Sequence, residues 1–232
     1  MEMKKLIIAL HHLEDKEIQY HYLWHKRISD MKIVWQTDKI SIHPDWFIID
    51  VPGKIMIPNV MRVLSYYAAK FEYDYYCLIA GDCYILKKDL FDKAIEYMKE
   101  NKSDVCFTHL NNSKEHYKSL FDPMITRNYK VPQTEIRWSL NICNFLTKKA
   151  VDIYNKESHF KIYDEADFPN AFYKKVNTVL YPDINYNYFN AADLARVEGG
   201  RIKGINNEKR DVPIIHAVKN YKLLDEYNIK LT

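Results

Sequence analysis

Two periods alternate along this chain. Short unbroken apolar runs at LIIAL (6–10), KIVWQ (32–36), WFIIDV (46–51) and Tyr75–Ala80 read as strands buried on both sides. Between them lie stretches with helical spacing. Glu14–Ser29 places Ile18, Tyr22 and His25 on one side, and a helix opening at Pro58 and running to about Phe71 aligns Val60, Val63, Leu64 and Tyr67. Lys88–Asn101 reads as the next helix and DVCFTHL (104–110) as the next strand. Strands spaced by helices predict an α/β fold with a mostly parallel central sheet, in which ligands bind at the carboxyl ends of the strands. The run Tyr73–Leu86 ends its strand at such an edge with Gly81-Asp82.

The second half is less regular. Residues 111–138 carry Pro123, Pro132 and scattered polar groups and predict irregular chain. Asn141–Thr147 predicts a strand, Lys148–Lys156 a helix, and Thr178–Tyr181 another strand. Asp164–Lys175 (DEADFPNAFYKK) predicts a helix whose acidic first turn suits the N-terminal dipole, with Pro169 near its start. Arg196–Asp211 holds three of the five glycines and no apolar run, which predicts a mobile loop. Pro213–Asn220 (PIIHAVKN) then delivers His216 and Lys219. With no repeat, low-complexity segment or linker, residues 1–232 read as a single domain. Its regular first half spans about 1–110 and its less regular second half about 111–232.

Composition narrows the classes. The 232 residues are 47% apolar, enough for one sizeable core. A net charge of +3, with the lysine pairs spread out, gives no basic face for nucleic acid. The four cysteines lack C-x-x-C spacing and predict buried free thiols in a reducing compartment. The apolar run after Lys4-Lys5 is too short for a signal-peptide core, and no run of about 18 apolar residues predicts a membrane span. The expectation is a soluble, cytoplasmic protein.

Three groups carry candidate chemistry. Asp82 at a strand end suits Mg²⁺ or Mn²⁺, which favour carboxylate oxygen and share their shell with substrate phosphates; it also reads as a turn residue after Gly81. His216 reads either as a second metal ligand or as a hydrogen-bonded core histidine, and Lys219 can meet a phosphate. Of Asp164, Glu165 and Asp167, one can serve as base for an acceptor hydroxyl, while helix capping also accounts for such residues. Trp138 beside Arg137 reads as a sugar-stacking platform or a half-buried packing residue. His11, ending the first strand, together with Asp38, Arg62 and Gly81, completes the candidate nucleotide contacts, although His11-His12 and Arg62 also read as surface residues. The P-loop, G-x-G-x-x-G, G-x-S-x-G and H-E-x-x-H patterns do not occur.

The order of these motifs resembles that of small GT-A fold glycosyltransferases. YYCLIAGDCYI stands where that family has its Asp-x-Asp motif, and NICNFLTKKA is similar to its acceptor-side segment. DEADFPNAFY resembles its acidic helix start, and PIIHAVKN its terminal His-x-x-Lys. The resemblance implies a metal-dependent transferase that uses Mn²⁺ or Mg²⁺ and a nucleoside-diphosphate sugar, UDP-sugar favoured and GDP-sugar possible. It implies a glycan or small hydroxyl acceptor, Asp82 and His216 on the metal, Lys219 nearby, and Asp167 as base with Glu165 as rival. The chain departs from the pattern at Ala80, which replaces the first Asp, so the ribose or sugar contact made by that residue must come from elsewhere. A sugar nucleotidyltransferase or an inactive nucleotide-sugar-binding module are the alternative readings.

Overall fold

The computed structural model describes residues 3–11, 15–36, 47–50, 60–110, 122–159, 161–182, 195–198, 201–203, 213–216, 221–222 and 224. A seven-stranded sheet in the order β3-β2-β1-β4-β7-β6-β8 forms its centre. The strands are β1 (Lys5–His11), β2 (Asp30–Gln36), β3 (Phe47–Asp50), β4 (Tyr75–Ala80), β6 (Val105–Phe107), β7 (Cys143–Thr147) and β8 (Thr178–Leu180). All run parallel except β7, which is antiparallel to both β4 and β6.

Alternate residues of β1 serve different cores, which is why its apolar run is unbroken. Leu6, Ile8 and Leu10 pack toward α2 (Val60–Ala68), α5 (Lys148–Glu157) and α6 (Asp164–Ala171). Ile7 and Ala9 pack toward α1 (Asp15–His25) and α3 (Leu90–Glu100), meeting Ile18, Phe91 and Ile95. All four cysteines are free and fully buried in the second core, with the Cys77 and Cys143 sulfurs 3.4 Å apart. Burial pushes the Cys77, Cys83 and Cys106 thiols up, so they stay protonated. Among the described residues no helix is long and apolar enough to cross a membrane.

Two expectations are corrected. Within the stretch read as irregular, α4 (Asp122–Tyr129) and a 3₁₀ turn at Gln133–Glu135 form. Only Ile125 and Tyr129 of α4 are buried, so its periodic signal is one turn long. Within the stretch read as a mobile loop, β9 (Ala195–Glu198) and β10 (Arg201–Lys203) pair antiparallel, with Val197 opposite Ile202. Two short alternating runs around Gly199-Gly200 were the available hairpin signal. A smaller sheet, β10-β9-β11-β5, joins this pair to β5 (Tyr84–Ile85) and β11 (Ile214–His216).

Candidate functional site

The carboxyl edge of the main sheet carries the candidate chemistry. β4 ends in a tight turn closed by the Cys83 N–H on the Ala80 carbonyl at 3.0 Å, which leaves Gly81 and Asp82 at its apex. The chain continues into β5, where Cys83, Tyr84, Ile85 and Leu86 are all buried. β5 pairs antiparallel with β11, Tyr84 opposite Ile215 and Ile85 opposite Ile214, and Leu86 N–H meets the Pro213 carbonyl at 2.8 Å. That register sets His216 across from Cys83, beside Asp82. His216 Nε2 lies 3.4 Å from Asp82 Oδ1, and both side chains remain partly exposed. Residues separated by more than half the chain thus meet because two apolar strands pair.

The other edge of β5 is held by side chains from α1. His21 Nε2 donates to the Cys83 carbonyl at 2.8 Å, and Trp24 Nε1 donates to the Ile85 carbonyl at 2.8 Å. His25 Nε2 accepts the Ile85 N–H at 3.2 Å while its Nδ1–H donates to the His21 carbonyl at 3.0 Å. These partners fix both tautomers, and accepting the Ile85 N–H requires His25 Nε2 to be unprotonated. Beyond β11, Tyr221 stacks on Tyr20 of the same helix at 4.5 Å. α1 therefore grips β5, which follows Asp82, and touches the chain beyond β11 through Tyr20.

Burial holds these histidines well below their ordinary range: His21 falls to about 4, and His25 falls too, aided by its neighbour His21. His109, 8% exposed past the end of β6, falls to about 4 for the same reason. The unfolded chain then binds more protons than the folded one between about pH 4 and 6.5, so stability contributed by these rings is complete above pH 6.5 and is lost as pH falls toward 4. Buried Asp164 and Asp167 and half-buried Glu165, whose carboxyls desolvation pushes up, act in the opposite direction. Comparison with His21→Gln isolates one ring. The stability gap between wild type and variant, measured by urea titration, should be level above pH 7 and shrink by about 3 kcal/mol on approaching pH 4. A gap independent of pH would show that His21 stays near its ordinary range.

Gly81 is explained by packing. A Cβ there would sit 2.3 Å from the Leu10 carbonyl oxygen and 2.9 Å from His11 Nδ1. Backbone cannot yield as a flexible side chain does, so Gly81→Ala must displace the turn that carries Asp82. It should lower the melting temperature and weaken divalent-cation binding together; an unchanged melting curve would show that the turn is not clamped on β1. His11 itself is 1% exposed, edge-on to His21 at 4.6 Å. The surface reading of His11 is thereby corrected: it lies beneath the Gly81 turn.

The opposite wall is the start of β7. The Ile142 carbonyl accepts the Ala80 N–H at 2.8 Å, and the Leu140 N–H donates to His109 Nδ1 at 3.1 Å. The Ser139 N–H donates to the Glu165 carbonyl at 2.8 Å, so at most about 10 Å of chain links the first turn of α6 to the Asp82 turn. Glu165 alone in α6 is not buried, and its carboxylate makes no hydrogen bond among the described residues. Burial pushes its carboxyl up.

Asp167 and Asp164 face inward. Asp167 is 1% exposed and accepts from the Tyr129 hydroxyl, from the Tyr154 hydroxyl at 3.0 Å and from the His159 N–H at 3.0 Å. Asp164 accepts the Met61 N–H at 2.7 Å, capping the start of α2, and Tyr154 at 3.2 Å. Arg62, on that first turn, is partly buried, and its charge acts on Asp167 and Tyr129. Asp167 thus sits buried in a hydrogen-bonded network with Tyr129, Tyr154 and His159. Trp138, 7% exposed in the core beside α6, offers no open indole face, which corrects its reading as a platform. Asp38 and Lys219 lie outside the described residues.

The sequence placed His25 on one helix side with Ile18 and Tyr22 but gave no role to it, nor to His21, Trp24, His109 or Asn141. For His21, Trp24 and His25 a signal existed: two imidazoles spaced i, i+4 with an indole between them, on the side marked by Ile18.

Asp82 and His216 fit a divalent cation. Oxygen and imidazole nitrogen both suit Mn²⁺ or Mg²⁺, and adjacent ligands on an octahedral ion stand about 3 Å apart. Among the described residues no group of three or more His, Cys, Asp and Glu side chains is arranged to hold a metal. Two protein ligands leave positions for phosphate oxygens and water, as hard cations at phosphate sites require.

No model of a known protein family matches the sequence, and no curated protein matches it. Solved structures do. A mannosyltransferase from Pyrobaculum calidifontis in complex with GDP-Man and Mn²⁺ aligns over 78% of this chain with TM-score 0.50 at 8% identity. This chain covers 55% of that one, so it spans about half of the mannosyltransferase's length. A glycosyltransferase involved in glycosylation of the major capsid of PBCV-1 aligns over 97% of this chain and 98% of its own, with TM-score 0.47 and 9% identity. A putative glucose-1-phosphate thymidylyltransferase from Bacillus anthracis aligns over 78% and 86% of the two chains, with TM-score 0.45 and 12% identity. The α/β fold, with its mostly parallel sheet between helices, is GT-A-like.

Proposed function

We propose that this protein is a metal-dependent glycosyltransferase that moves a sugar from a nucleoside-diphosphate sugar to a hydroxyl acceptor in one inverting displacement. The observation that supports the reading is the 3.4 Å approach of His216 to Asp82 at the carboxyl edge of a GT-A-like sheet. These two residues would hold Mn²⁺ or Mg²⁺. The bound cation supplies positive charge to the diphosphate of the donor.

The chain's own residues do the rest. The β-turn at Gly81-Asp82 and the pairing of β5 with β11 fix both ligands before substrate arrives, so little reorganisation is needed at reaction. Glu165, partly buried at the start of α6, takes the proton from the acceptor hydroxyl. The hydroxyl oxygen bonds to the anomeric carbon as the bond from that carbon to the phosphate oxygen breaks, and the nucleoside diphosphate leaves with the electron pair. A carboxyl raised by desolvation is a stronger base than one in water, which suits this step.

A thermal-shift screen of UDP-, GDP-, CMP- and dTDP-sugars with and without Mn²⁺, followed by assay of nucleoside diphosphate release, tests the reading. Stabilisation by a nucleotide sugar that requires the cation, with nucleoside diphosphate released, is expected. Pyrophosphate release from a nucleoside triphosphate and a sugar 1-phosphate would replace it with nucleotidyl transfer. Binding without turnover would make the protein a binding module.

A further inference from the structure

We infer that Asn141 recognises the sugar of the donor, by hydrogen bonding to a ring hydroxyl beside the Asp82 turn. This rests on the nucleotide-sugar reading above. Asn141 is 7% exposed, and among the described residues neither its amide nitrogen nor its amide oxygen has a hydrogen-bond partner. Buried side-chain amides are nearly always paired, and one that is not marks a missing partner.

Its neighbours at the same edge are committed. Ser139 Oγ accepts the Asn141 N–H at 3.3 Å, and Thr108 Oγ1 donates to the Cys143 carbonyl at 2.5 Å. His109 Nδ1 accepts from Leu140. Asn141 is thus an amide left over beside Ser139, Thr108 and His109, each of which is used.

The backbone makes the position specific. Asn141 has φ of 51°, in the left-handed region that asparagine tolerates better than other side-chain-bearing residues. The next residue, Ile142, accepts the Ala80 N–H, so Asn141 stands between the ends of β4 and β6. Across that ladder Ala80 offers no polar side-chain atom, so polar recognition next to Asp82 falls to β7. An amide has donors and an acceptor together, which matches a hydroxyl that both gives and takes a hydrogen bond; a phosphate, acceptor only, would leave the amide oxygen unpaired.

The test uses Asn141→Gly in the full chain, because glycine keeps the positive φ while removing the amide. Melting temperatures are compared without ligand, with Mn²⁺ and UDP or GDP, and with Mn²⁺ and UDP-glucose, UDP-N-acetylglucosamine or GDP-mannose. Wild type should be stabilised more by one of these sugars than by its nucleotide alone. The variant should melt no lower than wild type without ligand, keep the nucleotide shift, and lose the extra shift from the sugar. Its affinity for that donor should fall about 10-fold, as the loss of one hydrogen bond implies. A ligand-free melting temperature several degrees below wild type would make the amide a structural group satisfied by trapped water, overturning the inference. So would an unchanged sugar shift. A wild type that responds to no nucleotide removes the underlying reading as well, and is distinguished by its missing nucleotide shift.

Discussion

Asp82→Asn is expected to yield a folded protein whose turnover of a nucleotide sugar is at least about 10²-fold slower than wild type. Residues that merely support a metal ligand typically change affinity by 10–100-fold when replaced, and a direct ligand should exceed that. Folding should be preserved because Asp82 occupies the apex of a turn made by backbone, closed by Cys83 on Ala80. The carboxylate is only partly exposed, yet the β5–β11 pairing and the α1 hydrogen bonds hold the strands without it. His216→Ala should show the same loss, and the double variant should be little worse than either single one, since each removes the same ion. Additive losses would mean the two side chains act separately.

The second large effect separates two carboxylates on one short helix. Asp167→Ala should destabilise the protein by at least about 3 kcal/mol, because it leaves donors from Tyr129, Tyr154 and His159 facing an apolar gap. In a chain of this size that lowers the melting temperature by about 6–12 °C. Glu165→Gln should leave the melting curve in place and lower kcat about 10²–10⁴-fold with donor affinity retained. If Glu165→Gln kept full activity while Asp167→Asn lost it without loss of stability, the base would be Asp167.

The two carboxylates also show where the sequence was readable. Asp164 and Asp167 stand four residues before the buried Phe168 and Ala171, which is the spacing of one inward-facing row, but Pro169 stands in the same relation to Glu165, so spacing alone does not separate the carboxylates; Glu165 is the one residue of α6 that is not buried. The acidic first turn offered Asp167 with Glu165 as rival base, since charge alone does not separate the two. β1 and β4 were legible because each is an apolar run buried on both sides. The reversal of β7 was not, because a period of two carries no direction. Asp82 was legible as a carboxylate ending an apolar strand. Its approach to His216 depends on a β5–β11 register spanning more than half the chain, which local pattern does not encode. The α1 clamp was hidden for a related reason: His21, Trp24 and His25 look amphipathic in sequence, whereas their polar atoms serve the backbone of β5.

Calorimetric titration of Mn²⁺ into the protein saturated with UDP or GDP is the most direct measurement of whether residues 82 and 216 share one ion. Wild type should bind one Mn²⁺ per chain, and Asp82→Asn and His216→Ala should each weaken that binding by at least about 10²-fold while their melting temperatures stay within a few degrees of wild type. Full Mn²⁺ affinity in either folded variant would contradict a shared site.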